Sequence, residues 1–206
     1  LAVTEKYGVP ILEDDCYADN RYDGDLPTSI LNLDDTNSVM YVGSFSKTIA
    51  PGMSLGYMTA PQLILDRAMG VKSGRVSEFT AMAVEKYARK YLDAHIEEIN
   101  KIQRTKRDAM LSALGENFGT GAKWSDPDGG LYIWVKLKEG SDMVALNKRS
   151  VEEIDVGFHP GVNYSPDGTS GKDHIRLCYG YNQPDEITEG ISRLANFLSK
   201  EGALDS

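Results

Sequence analysis

Short apolar runs alternate with polar stretches along most of the chain, and their lengths and periods sort them into strands and helices. Val9 to Glu13 (VPILE) and the β-branched and aromatic run Ser38 to Val42 predict two buried strands, the first of them parallel, and Leu55 to Thr59 is another apolar run of strand length. Further on, Leu131, Ile133 and Val135 alternate with Tyr132, Trp134 and Lys136, the period-two pattern of a half-buried strand. His174 to Tyr179 reads as another strand, in which Arg176 stands between Ile175 and Leu177 and so points away from them. Helical spacing appears after Pro61, where Leu63, Ile64, Ala68 and Met69 are expected to keep one face toward a sheet. A long helical tract follows from Ser77 to about Phe118, with Ile96, Ile99, Met110, Leu114 and Phe118 at helical intervals and an expected break near Asp93. Ser141 is expected to cap a helix to about Val151, followed by a strand from Ile154 to Phe158 and a corner at Pro160-Gly161. The last helix is bounded clearly: Pro184 in its first turn, Asp185 and Glu186 against the dipole, Ile187, Ile191, Leu194 and Leu198 on one face, and Gly202 beyond its end.

Strands alternating with helices predict an α/β chain. The Gly-, Asp- and Pro-rich segment from Thr120 to Gly130 marks a domain boundary near its start, giving residues 1–119 and 120–206. Asp19 to Asn37 reads as a loop turning at Pro27-Thr28, and Ser165 to Asp173 as a polar loop. Leu1 is not a methionine, and LAVTEKYG reads as the last turns of a helix closed by Gly8, so the chain is expected to be part of a longer protein.

Composition narrows the classes of function. The chain is 41% apolar and 26% charged, with no apolar run approaching the ~20 residues of a membrane span and no signal-peptide pattern, so a cytoplasmic protein off the membrane is expected. A net charge of −9 argues against a nucleic-acid surface on this portion, which would need a basic stripe. Cys16 and Cys178 are isolated, and His95, His159 and His174 are scattered, so no metal site is expected and the three histidines read as structural or surface residues. The basic block Lys101, Arg104, Lys106 and Arg107 reads as a solvated helix face rather than a surface for an acidic partner.

Candidate chemistry gathers at two strand exits. The first strand delivers Asp14 and, three residues on, Tyr17; a carboxylate there can pair with a protonated ring nitrogen and a phenol can hydrogen-bond a ring oxygen. The second delivers Ser44, Ser46 and Lys47 into a loop: two hydroxyls that can bond a phosphate and an amine that can attack an aldehyde. Open α/β sheets bind ligands at such ends. Arg176 offers a planar fork that matches a carboxylate.

Asp14-x-x-Tyr17, then Gly43-Ser-Phe-Ser-Lys47 and Pro51-Gly52, resembles the fold-type I pyridoxal-phosphate enzymes, specifically the class I/II aminotransferases, over essentially all 206 residues. The wording EDDCYADNRYDG and GSFSKTIAPG is most similar to the 2-aminoadipate and kynurenine aminotransferase-like subgroup, which includes the aminotransferase-like domains of certain winged-helix regulators. The resemblance implies the C-terminal part of a large domain, a mostly parallel sheet flanked by helices and ending in an interdomain helix, followed by an α+β small domain. It implies pyridoxal 5'-phosphate as cofactor, with Lys47 forming its Schiff base, Asp14 on the pyridine nitrogen, Tyr17 on the phenolic oxygen, and Ser44 and Ser46 toward the phosphate. Arg176, in the wording His-Ile-Arg-Leu, matches the family's carboxylate-binding arginine. Amino-acid and 2-oxo-acid substrates and a homodimer are implied as well.

One position departs from the pattern. Where the family usually has an arginine seven residues after the lysine, clamping the phosphate, this chain has Ser54. Loss of such a charge-assisted bond costs on the order of 1.5–3 kcal/mol, roughly ten- to hundredfold in affinity if nothing compensates. The half of the family's fold that should carry the phosphate-cradling helix start, a ring-stacking aromatic and an asparagine at the ring oxygen is not in this chain, which puts turnover by this chain alone in question. Transamination is therefore the first expectation. The alternatives are a lyase on the same fold, a ligand-sensing domain of a transcriptional regulator, and an inactive fragment without cofactor.

Overall fold

The computed structural model describes residues 1–204, which divide into two compact units, one from Leu1 to Asn100 and one from Lys101 onward. The division passes through a long helix, 19 residues before the boundary expected from composition. No described helix is long and apolar enough to cross a membrane.

The first unit begins with helix α1 (Ala2–Tyr7), closed by Gly8 in the left-handed region at φ 61°, as the sequence predicts. Strand β1 (Ile11–Asp14) pairs in parallel with β2 (Val39–Ser44), Ile11 opposite Val39 and Asp14 opposite Val42. β3 (Gly56–Thr59) adds to β2 antiparallel and completes the sheet in the order β1-β2-β3. The segment between β1 and β2 is not featureless. It carries a short helix, α2 (Ile30–Leu33), whose first N–H groups are taken by Glu13, Ile30 N at 2.8 Å and Leu31 N at 2.9 Å, while Ser29 caps Asn32 N. Asp34 then accepts from Thr36, Ser38 N and Val39 N, which starts β2 and holds its carboxyl well below the usual range, the Thr36 bond contributing most.

Helix α3 (Gln62–Val71) starts after Pro61 as expected, but the expected inward face is only partly covered: Ile64 and Ala68 are half-buried, Leu63 and Met69 are exposed, and no residue of α3 is buried. Helix α4 (Glu78–Phe118) runs unbroken through Asp93.

In the second unit, β4 (Lys123–Trp124), β5 (Tyr132–Lys136), β6 (His159–Pro160) and β7 (His174–Cys178) form an antiparallel sheet in the order β4-β5-β7-β6. One face is core: Ile133, Val135, Ile175 and Leu177 are buried. So are Met110, Leu114 and Phe118 of α4 and Ile187, Ile191, Leu194 and Leu198 of α6 (Pro184–Lys200), so period two and period 3.6 converge on one apolar interior. At the start of α6, Gln183 N donates to Glu186 at 2.7 Å.

Three details correct the sequence reading of this unit. The N-cap of α5 (Met143–Ile154) is Asp142, not Ser141; its carboxylate accepts from Val144 N and Ala145 N, both at 3.1 Å. Residues Ile154 to Phe158 are not a strand. The helix continues to Ile154 and ends at Asp155 in the left-handed region, φ 55°, and Ser150 Oγ turns back to Val156 O. The basic block is not one solvated face either. Lys106 and Arg107 are each only 6% exposed: Lys106 Nζ donates to Tyr181 O at 3.0 Å and Gly180 O at 3.4 Å, and Arg107 donates to Pro127 O and Asp108.

Beyond β6 the chain turns through a 3-10 segment, Gly161–Tyr164, against the 165–173 loop. A Cβ on buried Gly161 would lie 2.4 Å from Gly171 O and 2.9 Å from His174 O, both backbone atoms that cannot swing aside. Gly161→Ala is expected to lower stability by about 1–3 kcal/mol. Thermal unfolding checks this, and a wild-type midpoint would show the crossing to be slack.

Candidate functional site

Because β1 and β2 run parallel, both end at the same edge of the sheet, Asp14 closing one and Ser44 the other. After β1, Asp15 N still bonds Val42 O, and the turn that follows presents Tyr17. After β2, Ile49 N and Ala50 N both return to Phe45 O, at 2.8 and 3.1 Å, wrapping residues 45–50 into a tight turn that carries Lys47. Its ammonium lies 5.8 Å from the centroid of the Tyr17 ring, so the amine and the phenol meet although they are thirty residues apart in sequence.

Two residues not singled out for the site hold that turn. Asn20, only 2% exposed, reaches Lys47 O at 3.5 Å, and His95 Nε2 reaches Thr48 O at 2.9 Å from α4. Thr48 Oγ1 returns to Ser44 O at 3.3 Å. His95 is thus structural, in line with its reading from the sequence. No short motif announces these contacts, since each joins a side chain to a distant carbonyl.

Of the two adjacent acids, Asp15 is committed to the protein: Tyr41 Oη donates to it at 2.8 Å, and burial, with that bond next, pushes the Tyr41 phenol well above its ordinary range. Asp14 is exposed and accepts from Cys16 N at 3.3 Å. The Cys16 thiol feels both halves of the candidate site. The hydrogen bond to Asp14 raises its pKa most, burial and the charges of Asp14 and Asp15 raise it further, and Lys47 pulls it down. Ser46 N donates to Ser44 Oγ at 3.1 Å, which leaves the Ser44 hydroxyl proton to give. Gly43 is required by its neighbour, since a Cβ there would lie 2.4 Å from the Tyr57 ring, which also packs on Phe45 at 5.5 Å. Ser54 is exposed in the left-handed region, φ 46°, at the end of the 3-10 turn Pro51–Met53.

Arg176 lies in the second unit, on the face of β7 opposite buried Ile175 and Leu177. Its guanidinium carbon is 3.9 Å from the centroid of Tyr132 and 4.0 Å from that of Tyr164.

The donors at the β1 and β2 exits fit a phosphorylated pyridine aldehyde. They supply an amine, a carboxylate open to solvent, a phenol beside the amine, and two hydroxyls at the end of the neighbouring strand. What they lack is a cation for the phosphate where Ser54 stands.

Comparison with known proteins agrees. The profile of the family "Aminotransferase class I and II" matches residues 1–194. The chain is 34% identical over 205 residues to aromatic-amino-acid aminotransferase 1 of Thermococcus litoralis, covering 98% of this chain and 49% of that protein. It is 29% identical to YdfD of Bacillus subtilis, described as an uncharacterized HTH-type transcriptional regulator, covering 97% of this chain and 42% of YdfD. The crystal structure of Pyrococcus horikoshii kynurenine aminotransferase, in complex with PMP, superposes with a TM-score of 0.90 at 34% identity, covering 97% of this chain and 50% of that one. The chain thus spans about half the length of the relatives it matches. It belongs to the class I and II aminotransferases.

Proposed function

We propose that this chain is the C-terminal part of a pyridoxal-phosphate-dependent aminotransferase that moves an amino group between an amino acid and a 2-oxo acid. In this reading residues 1–119 belong to the large, cofactor-binding domain and residues 120–206 form the small domain. The observation that carries it is the meeting of the Lys47 amine with the Tyr17 ring at the exits of two parallel strands. Lys47 would hold the cofactor by its aldehyde and, once the substrate amine has displaced it, the freed amine would take a proton from the substrate α-carbon. Asp14 holds the proton on the pyridine nitrogen, Tyr17 donates to the ring oxygen, and Ser44 and Ser46 donate to the phosphate. Arg176 binds the substrate carboxylate. The cofactor, when bound, supplies the electron sink that makes the α-proton removable. A homodimer is the assembly expected from the family resemblance.

The test is chemical. Incubation with pyridoxal 5'-phosphate followed by borohydride reduction should fix the cofactor on Lys47, read by peptide mass mapping. Labelling spread over other lysines, with Lys47 unmodified, would overturn the reading. The likeness to YdfD supports a second reading, a ligand-sensing domain of a regulator. It predicts the same fixation at Lys47 but no oxo-acid product when an amino acid is added.

A further inference from the structure

A charged side chain half-covered by protein is ordinarily held by hydrogen bonds or an ion pair, and among the described residues Arg176 has neither. Nε is buried and has no hydrogen-bond partner among the described residues. What touches the guanidinium is a pair of rings, Tyr132 and Tyr164, with centroids 3.9 and 4.0 Å from its central carbon. Tyr164 also packs edge-on to Trp134 and to His159. The guanidinium lies over both tyrosine rings, and its edge carries the N–H donors.

The sheet explains how the rings arrive there. Trp134 sits directly opposite Arg176 in the β5–β7 register, and Tyr132, two residues earlier, is the diagonal neighbour on the same face. On the other flank His159 pairs with Arg176, and the 3-10 turn after β6 brings Tyr164 over the guanidinium. A buried donor without an acceptor is unfavourable, and such a donor persists in a folded protein where a ligand completes it.

We infer that Tyr132 and Tyr164 are positioning residues: their faces fix the plane of the Arg176 fork, so that its N–H edge is already set for a carboxylate. The inference rests on the reading of Arg176 as the carboxylate-binding group. It assigns the work to the ring faces and none to the hydroxyls, because a cation stacks on a phenylalanine face as it does on a tyrosine face.

The experiment uses the gene-encoded protein loaded with cofactor. Its readouts are kcat and KM for the best amino-acid donor and, without turnover, calorimetric affinity for 3-phenylpropanoate, a carboxylate that has no amine. Tyr132→Leu and Tyr164→Leu are each expected to raise KM and the probe Kd about tenfold, with kcat changed less than about threefold. Tyr132→Phe and Tyr164→Phe are expected to restore the wild-type KM. Tyr164 is 44% exposed, so its leucine variant is not a core deletion and carries the test should Tyr132→Leu fail to fold. Arg176→Lys separates the two levels of the argument. If it raises KM and the probe Kd while the leucine variants leave both unchanged, the ring clamp is wrong and the Arg176 reading stands. If Arg176→Lys itself changes neither, the Arg176 reading fails and the clamp falls with it. Phenylalanine variants as impaired as the leucine variants would assign the effect to the hydroxyls and overturn the inference.

Discussion

Lys47→Ala is expected to reduce transamination by at least about 10⁴-fold, to the background of free cofactor in solution. The size of the effect follows from two roles in one amine: it attaches the cofactor aldehyde, and it is the base positioned to move the α-proton. Alanine removes both. The fold has little reason to change. The Lys47 carbonyl keeps its bond from Asn20, the turn keeps the bonds of Ile49 N and Ala50 N to Phe45 O, and the loss is the ammonium's contact with the Tyr17 ring, about 0.5–1 kcal/mol. Circular dichroism and the thermal midpoint should therefore match the parent, while an assay for oxo-acid product reads zero above background. A folded Lys47→Ala protein that still transaminates at the parental rate would remove the amine from the mechanism, and with it the assignment of the β2 exit as the active centre.

What the sequence made legible, and what it did not, divides along the range of the interactions. The alternation in β5 and β7 and the apolar stripe of α6 are local periodicities, and the structure reproduces them because one side of each element is core. The strand expected at Val9 to Glu13 forms at Ile11–Asp14 but is not buried: Leu12 is 59% exposed. Lys106 and Arg107 could not be separated from Lys101 and Arg104 in this way, since all four read alike as a run. The carbonyls that make two of them buried come from Pro127, Gly180 and Tyr181, 20 to 75 residues away. The same holds for Asn20 and His95, whose value lies in the backbone oxygens they meet. The strand expected at Ile154 to Phe158 failed for a local reason that apolar patterning does not register. Asp155 turns left-handed and the following Val156 gives its N–H to Ser150 O at 3.4 Å, a helix ending built without the usual glycine. Of the two neighbouring acids, the pattern picks out Asp14, and the structure supplies a physical reason to separate them, because Tyr41 engages Asp15 and leaves Asp14 facing solvent. The face of α3 is covered only in part, at Ile64 and Ala68: amphipathic spacing predicts a helix and a side to bury, but it carries no information about how far the covering surface extends.

Arg176→Ala is expected to lower kcat/KM by roughly 30- to 1,000-fold, about 2–4 kcal/mol, with most of the loss in KM and a similar rise for the amino acid and its oxo acid. The loss is shared because both substrates carry the same carboxylate, and it falls on KM because that carboxylate does not change charge during the reaction. The magnitude is that of removing one partner from a charge-assisted pair in a partly covered site, where the substrate's negative end would be left without its fork. The variant removes a cation that lies over two rings without deleting any of the apolar face formed by Ile133, Val135, Ile175 and Leu177, so the second unit should fold. A well-folded Arg176→Ala protein with parental KM values would place the carboxylate elsewhere, and the unpaired donor at Nε would then need a different ligand.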